Sequence, residues 1–247
     1  MPYLRTSDLA RAVGVHPNTV RRYAEWGLIP PVERAANGYR RFTQHHLDCL
    51  RIAHLIFSST YPGKALRQSA SPIIQSAVAG DWDSALQHAI AHRRLVESEQ
   101  ALAETAVTAL EQWAASTTVE TGGPSMQIGQ VAKRLNVSID VLRNWERNGF
   151  ITVPRDPENG YRRYGGSELR RLHVIRLLAR AGFSQMAILR TLLPLDQGLA
   201  TNLRQSLDTP RPGDDAFVAS DRWLSTLAEQ AQVAQDLVTL IEAILRR

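Results

Sequence analysis

The chain repeats itself once, and this duplication constrains the fold more than any other feature of the sequence. When the sequence is shifted by 122 positions, residues 4–57 align without a gap with residues 126–179. The segment NGYRRF at 37–42 then falls on NGYRRY at 159–164, and most positions that differ keep their chemical class. A repeat period this long predicts two domains of one fold and not a solenoid.

Charge follows the repeat. At 247 residues the chain is long enough for two domains that each bury a core. Residues 1–57 carry 8 Lys and Arg against 4 Asp and Glu, and residues 126–190 carry 12 against 5. Residues 81–120 carry 2 against 7, and residues 191–247 carry 5 against 8. Each basic block thus contains one copy of the repeat, which points to a polyanionic partner.

Several classes of protein are disfavoured. The sequence has no apolar run of membrane-spanning length and no secretory leader pattern, so we expect a cytoplasmic protein. A single cysteine, Cys49, excludes an internal disulfide framework and a multi-thiol metal site. His88 and His92 have metal-binding spacing but no evident third ligand, so no metal or cofactor is predicted. Because no phosphate-binding glycine motif or nucleophile–base signature occurs, we expect no enzyme activity.

Each copy predicts a helix-turn-helix. A short helix with an apolar face ends at Gly14 or Asn136, residue types that tolerate the left-handed conformation. A second helix then begins at once, because Pro17 suits the first helical position and Ser138 is a good N-cap. The second helices are predicted over 17–26 and 139–148.

A β-hairpin, or wing, is predicted after each second helix. In the first copy its strands are predicted at 28–29 and 39–42, and Asn37–Gly38 supplies the positive φ angles of the turn. A third helix is predicted over 43–57 and over 165–180. The fourth helix of the first copy is expected to be short or irregular, since Pro62–Gly63 interrupts it.

This order of elements, with the wing ending in NGYRRY, resembles the DNA-binding domain of the MerR family of bacterial transcription regulators. VRRYAEWGLI and LRNWERNGFI are similar to the recognition-helix segment of that family, and RAGFSQMAILRTLL to its fourth helix. The resemblance covers about residues 1–70 and 126–195. It implies a double-stranded DNA partner and homodimers joined by an antiparallel pair of long helices.

The candidate DNA-binding residues lie on the second helices and the wings. The outward polar positions of the helices are predicted to face bases or phosphates, because an α-helix fits the major groove; they are His16, Asn18, Thr19, Arg21, Arg22, Ser138, Asp140, Arg143 and Asn144. The resemblance implies that the shared arginines Arg21 and Arg143 anchor to the DNA backbone, together with Tyr23, Tyr39, Arg40, Arg41, Trp145, Tyr161, Arg162 and Arg163. The second helices differ while the wings nearly match, which predicts two unlike half-sites.

Two acidic segments carry apolar stripes at helical spacing. One stripe lies between residues 83 and 115, and the C-terminal stripe recurs every seven residues, as in a coiled coil. The predicted helix-pairing residues are Leu95, Leu102, Ala106, Trp113, Leu224, Leu227, Ala231, Val238, Ile241 and Leu245. We expect these helices to pair within one chain, which makes a monomeric pseudo-dimer; a homodimer is the alternative.

The predicted fold class is therefore mainly α, with two winged helix-turn-helix domains joined and followed by long helices that pair as an antiparallel coiled coil. The predicted domains are 1–70, a helical segment 71–119, a flexible linker 120–125, a second DNA-binding domain 126–195 and a helical segment 196–247. The predicted function is sequence-specific transcription regulation, with RNA polymerase on the same DNA. The alternatives are an architectural or recombination-accessory DNA-bending protein and a protein-interaction module with vestigial DNA binding.

Overall fold

The computed structural model describes residues 3–116, 125–199, 202–209 and 219–247. The chain forms two compact units. One contains the described residues up to Ser98 together with Thr226–Arg247, and the other extends from Glu99 to Ser225. Nearly all of the predicted linker 120–125 lies outside the described residues. No helix of the described part is long and apolar enough to span a membrane.

The first repeat copy, called head 1 (residues 3–58), has the predicted order of elements. Its helices and strands are α1 (Thr6–Val13), α2 (Pro17–Glu25), β1 (Glu33–Arg34), β2 (Arg40–Arg41) and α3 (Gln44–Ser58). The α1–α2 turn begins at Gly14, whose φ of 74° is left-handed, and Pro17 starts α2 as predicted. The first wing strand lies at β1, where Glu33 pairs with Arg41 and Arg34 with Arg40, and not at 28–29; Ile29 is instead buried in the core.

The second copy, called head 2 (residues 125–180), repeats this arrangement. Its helices are α6 (Ile128–Leu135), α7 (Ile139–Arg147) and α8 (Gly166–Arg180). Asn136 adopts φ 49° after α6, and the Ser138 hydroxyl caps α7 by accepting from the Val141 N–H, which confirms both predictions. The wing of head 2 is reduced to a single antiparallel bridge between Arg155 and Arg162.

Both heads are built around the same core. Seven positions related by the 122-residue shift are at most 4% exposed in both copies; the pairs are Leu9/Val131, Val20/Leu142, Ile29/Ile151, Phe42/Tyr164, Leu50/Leu172, Ile52/Val174 and Ala53/Ile175. In each head a bridge also joins the N-terminal segment to the end of the wing, at Leu4–Phe42 and Met126–Tyr164. The wing is thus fixed to the helix-turn-helix by the same apolar residues and the same backbone pairing.

The remaining part of the first unit consists of helices packed beside head 1. They are α4 (Lys64–Ala79), the first half of α5 (Trp82–Ala115) and most of α11 (Trp223–Leu245). The expectation of a short fourth helix is wrong. α4 has 16 residues, because Gly63 precedes the helix as its N-cap and Pro72 is accommodated inside it.

In the first unit, α5 and α11 follow α3 in opposite directions. Along α5, Trp82 packs on His45 and His92 packs on Tyr61 (ring centroids 5.4 and 6.1 Å apart), so α5 is roughly parallel to α3. Along α11, Gln230 donates to the Thr60 carbonyl at 2.7 Å, whereas Arg247 pairs with Asp48 at 3.1 Å. α5 and α11 are therefore antiparallel here, and Arg93 donates to Gln235 between them at 3.0 Å.

Four of the ten predicted helix-pairing residues are buried, and at five of the other six a neighbouring residue is buried instead. On α5 the buried positions include His92, Val96, Ala103, Ala106 and Leu110, while Leu102 is 50% exposed and Leu95 half-buried. On α11, Leu227, Val238 and Ile241 are buried as expected, but Leu224 and Ala231 are only half-buried and Leu245 is 40% exposed. The buried stripe of α5 contains several alanines, whereas the prediction favoured neighbouring leucines. Trp113 is half-buried.

The second unit combines head 2 with the second half of α5 and three shorter elements. These are α9 (Gln185–Asp196), α10 (Leu203–Asp208) and a 3-10 turn at Ala219–Arg222, which leads into α11. Arg204 of α10 makes a bidentate pair with Glu104 of α5 at 2.6 and 2.8 Å. Gly182 (φ 95°) between α8 and α9 lies directly under the Trp223 indole, where a larger side chain would collide. The mainly α fold class is confirmed.

His92 makes the stability of the first unit depend on pH. The Ser69 hydroxyl donates to the Leu66 carbonyl, so it accepts from Nδ1 of His92 (2.7 Å) and leaves the buried Nε2 without a partner in the described part of the chain. Burial lowers the pKa of His92 from its ordinary value of 6.5, and it also lowers that of His46. The unfolded chain therefore binds protons that the folded chain excludes.

We predict that stability is fully present above about pH 6.5 and falls as the pH drops through the lowered pKa values of the folded state. Urea denaturation of the full chain between pH 7.5 and pH 5 measures this. His92→Gln should reduce the pH dependence without abolishing it, because His46 remains. An unchanged slope in that variant would contradict this assignment.

Candidate nucleic-acid interface

The second helix of each helix-turn-helix is anchored by one face and exposes the other. Val20 and Tyr23 of α2 are buried, as are Leu142 and Trp145 of α7. Burial raises the pKa of Tyr23. Only an edge of either aromatic ring reaches the surface, since Tyr23 is 7% and Trp145 6% exposed. The predicted backbone anchors Tyr23 and Trp145 are thus primarily core residues.

The residues at the start of each second helix also serve the fold. Nδ1 of His16 accepts from the Asn18 N–H at 3.2 Å, as the Ser138 hydroxyl does from the Val141 N–H at the same distance. These two predicted DNA-binding side chains are helix caps and remain exposed at the N-terminal end of the helix. Recognition helices present this end to base edges.

The exposed faces of the two helices carry different chemistry. In head 1, Arg21 donates to the neutral Asn18 at 3.0 Å; in head 2, Arg143 forms an ion pair with Asp140 at 3.3 Å. Thr19 is half-buried, and Asn144 is half-buried and accepts from Asn148. Equivalent positions of α2 and α7 therefore carry different side chains. The two heads offer different hydrogen-bond patterns to a DNA groove.

Head 1 also carries an exposed aromatic side chain that the sequence reasoning missed. Trp26 follows α2 directly and is 54% exposed. It lies one turn beyond Arg22, whose guanidinium stacks 4.6 Å from the indole centre. The spacing of Asn18, Arg22 and Trp26 by four residues could have indicated a continuous stripe. Head 2 has Asn148 at the position of Trp26.

The two wings share a turn and present their tyrosines in the same way. The side-chain oxygens of Asn37 and Asn159 accept from the Tyr39 and Tyr161 N–H groups at 3.2 and 3.0 Å. Gly38 and Gly160 have φ angles of 81° and 72°, whereas Asn37 and Asn159 do not have positive φ, so the glycine alone supplies the left-handed conformation predicted for Asn37–Gly38. Tyr39 is 75% exposed and Tyr161 68%, so both rings project from the wing.

The wing arginines differ in their partners. In head 1, Arg41 is exposed and stacks on the Tyr3 ring at 4.9 Å, while Arg40 is half-buried. In head 2, Nε of Arg162 donates to Glu146 of α7 at 2.6 Å, and Arg163 pairs with Asp156 at 3.5 Å. Arg162 is therefore turned towards its own recognition helix, so the two wings do not present their arginines alike although their sequences nearly match.

Head 2 has a basic concavity between its wing and the N-terminus of α6. The space is about 530 Å³, and its lining includes Arg143, Arg155, Tyr161 and Arg162. It brings a recognition-helix arginine together with wing arginines, which suits an anionic group such as a phosphate. Arg155 was not among the predicted residues. It lies opposite Arg162 across the wing, a position that strand alternation could have indicated.

The described residues contain no group of three or more His, Cys, Asp and Glu side chains that could hold an ion. Cys49 is buried and donates to the Ala77 carbonyl at 3.3 Å, and burial raises its pKa to about 12. His88 and His92 each form a hydrogen bond with a serine of α4.

Comparison with known proteins gives a consistent result. The family model described as MerR family regulatory protein matches residues 5–42 and 127–164, one match in each head. A Haemophilus influenzae protein named "Probable heavy metal-dependent transcriptional regulator" is 30% identical over 117 residues, which are 47% of this chain and 83% of that protein. The chain belongs to the MerR family.

Other relatives match over shorter segments. The HTH-type transcriptional regulator CueR of Escherichia coli is 41% identical over 49 residues, which are 20% of this chain and 36% of CueR. The mercuric resistance operon regulatory protein of Serratia marcescens is 34% identical over 74 residues, or 30% of this chain and 51% of that protein. No solved structure matches. The relatives are regulators, in agreement with the expectation that this MerR-family chain is not an enzyme.

We predict that Trp26 adds an apolar contact to DNA. Trp26→Asn, which installs the head 2 residue, should weaken duplex binding about fivefold, the equivalent of about 1 kcal/mol of lost aromatic contact. The salt dependence should stay unchanged because no charge is removed. Fluorescence anisotropy with a labelled duplex measures both.

Phe57→Ala is the matched control for Trp26. Phe57 is 53% exposed and packs on Tyr23, but it lies on α3 and head 2 has an alanine there. An equal loss of affinity in both variants would attribute the effect to packing around Tyr23. Unchanged affinity in Trp26→Asn would exclude the contact.

Proposed function

We propose that this MerR-family chain is a transcriptional regulator that binds double-stranded DNA with both heads and reads two unlike half-sites. The main support is that the two heads keep the same seven-position core yet expose different side chains on α2 and α7. Phosphate contacts fix the position of a protein on DNA, whereas base contacts specify sequence. Similar wings with different recognition helices therefore favour an asymmetric operator.

The surface chemistry of the heads fits this partner. Arg21 and Arg143 are exposed on the recognition helices, and Arg41 and Arg163 are exposed on the wings. Guanidinium groups bind phosphates or the O6/N7 edge of guanine through two hydrogen bonds. An exposed tyrosine at the tip of each wing adds a hydroxyl donor and an apolar ring beside these cations.

One chain is proposed to act as a pseudo-dimer, and the composition of the units supports this. Head 1 contacts the C-terminal end of α11, the helix that follows head 2, through the Arg247–Asp48 ion pair, and Gln230 of α11 donates to the Thr60 carbonyl just after head 1. Head 2 is packed against the end of α5, the helix that follows head 1. There Arg171 lies 5.7 Å from the centre of the Trp113 ring system. Each head thus uses the other copy's helix, as two subunits of a dimer would.

The head 2 contact is reinforced by a second role of Arg171. Its Nε donates to the Phe150 carbonyl at 2.6 Å, at the glycine turn after α7, and its Nη2 donates to Asp196 of α9 at 2.8 Å. One guanidinium therefore connects the recognition helix, α9 and the end of α5. The geometry of the head and the position of the long helix are coupled through a partly buried group.

Promoter distortion is the proposed mechanism of regulation. A regulator of this family would bind between promoter elements in the cytoplasm and bend the duplex so that RNA polymerase can use it. Bending 20–30 base pairs costs on the order of 1–6 kcal/mol, which several charge-assisted phosphate contacts can offset. Repression by occlusion requires only tight binding at the same site.

Metal dependence, which the names of some relatives mention, is not proposed for this chain, because Cys49 is buried and hydrogen-bonded.

An architectural DNA-bending protein is the second candidate, and transcription from the target promoter with purified polymerase separates the two. A regulator changes the transcript yield there, whereas an architectural protein bends the DNA without that change.

The binding isotherm as a function of salt tests the proposal. If about 6 phosphates are engaged, log K plotted against log salt concentration should have a slope near −5. The measurement uses the full chain and a duplex from its own promoter region. A flat response would instead support the protein-interaction module, and the absence of binding at low salt would end the proposal.

A further inference from the structure

The wing and recognition-helix arginines of head 2 are each paired with a carboxylate. Arg143 pairs with Asp140 at 3.3 Å, Arg162 with Glu146 at 2.6 Å, and Arg163 with Asp156 at 3.5 Å. The second pair is the tightest and most enclosed, since the two side chains are 29% and 20% exposed. All three guanidinium groups that head 2 shares with head 1 at the DNA-facing surface are thus locally neutralised.

Head 1 lacks every one of these carboxylates. At the positions of Asp140, Glu146 and Asp156 it has a neutral amide, a methyl group and another cation; these residues are Asn18, Ala24 and Arg34. The geometry of the first pair is kept without its charge, because Arg21 donates to Asn18 at 3.0 Å. In the described part of the chain, Arg40 and Arg41 make no ion pair.

This difference is local and not a difference in total charge. Residues 4–57 have 8 Lys and Arg against 4 Asp and Glu, and residues 126–179 have 10 against 5, so the net charges are +4 and +5. One wing position differs in the opposite sense, with Glu33 in head 1 and Arg155 in head 2. The long-range attraction of the two heads to DNA is therefore similar. The heads differ in their shared guanidinium groups: those of head 2 must first leave a carboxylate before they can contact a phosphate, whereas those of head 1 need not.

We propose that head 1 is the electrostatic anchor of the chain on DNA, whereas head 2 is restrained by its own carboxylates and contributes mainly where its half-site supplies base contacts. The inference rests on the proposed function. For Arg162 to bind a phosphate, it must exchange the Glu146 carboxylate for it, so contact with an arbitrary sequence brings little net gain. At the correct half-site, base contacts made by α7 offset that exchange.

A reciprocal exchange of residues tests this. Glu146→Ala gives head 2 the residue of head 1, and Ala24→Glu gives head 1 the residue of head 2. The full chain is titrated with a 30-base-pair duplex of arbitrary sequence over a range of salt concentrations. Glu146→Ala should bind it about fivefold more tightly at 0.15 M salt, with a slope steeper by about one, because one phosphate contact is released. Ala24→Glu should bind more weakly, with a slope shallower by about one.

Glu158→Ala is the matched control. Glu158 is an exposed carboxylate on the same wing, makes no ion pair among the described residues, and corresponds to Ala36 in head 1. It removes the same charge without releasing an arginine, so its slope should stay that of the unaltered chain. Glu146→Gln keeps a hydrogen-bond acceptor for Arg162 while removing the charge. It should tighten binding in the same direction as Glu146→Ala, which guards against an effect of altered folding.

The outcomes separate this inference from the proposed function. If the unaltered chain shows no salt-dependent duplex binding, the proposed function fails. If it binds normally but Glu146→Ala behaves like Glu158→Ala, or Ala24→Glu leaves binding unchanged, the inference alone is overturned.

Discussion

Burial of the α11 stripe within the first unit is the interaction on which the rest of the arrangement depends. Leu227, Ala234, Leu237 and Ile241 are at most 1% exposed, and they lie in the same compact unit as head 1. A helix with such a stripe cannot remain isolated in water, because its apolar face would stay hydrated. Covering it within the chain brings the C-terminal helix to the N-terminal domain, with α5 beside it in the opposite direction.

Duplication within one chain removes a constraint that a symmetric dimer has. In a homodimer every substitution appears in both subunits, so both reading heads stay identical. Here the seven-position core is kept in both copies, whereas exposed positions of the recognition helices have diverged. The Asp140, Glu146 and Asp156 carboxylates, and the Trp26 indole, each occur in one copy only. The cores need the same shapes to fold, but the surfaces are free to take different parts in binding.

The sequence predicted the fold well wherever local rules determine the structure. The left-handed Gly14 and Asn136, the Ser138 cap and the Asn-Gly turns of the wings follow from the conformational preferences of single residues. The choice of buried face on the long helices was less accurate. A shift of one residue moves a side chain by only about 100° around a helix, and alanines such as Ala103 carry a weaker apolar signal than the neighbouring Leu102.

The candidate site was predicted by residue type more reliably than by contact. Tyr39, Tyr161, Arg41 and Arg163 are exposed on the wings, but pairs such as Arg162 with Glu146 join residues 16 positions apart, and no periodicity indicates them. The burial of Tyr23 and Trp145 depends on tertiary packing around each head. Resemblance to a family identified these positions, while the structure assigned their surroundings.

The stoichiometry of the DNA complex tests the central claim most directly. Light scattering in dilute solution measures the mass of the complex formed on a duplex that carries both half-sites. A single-chain pseudo-dimer predicts one 27.5 kDa chain per duplex with both half-sites protected. Two chains on that duplex, or protection of only one half-site by a single chain, would contradict it.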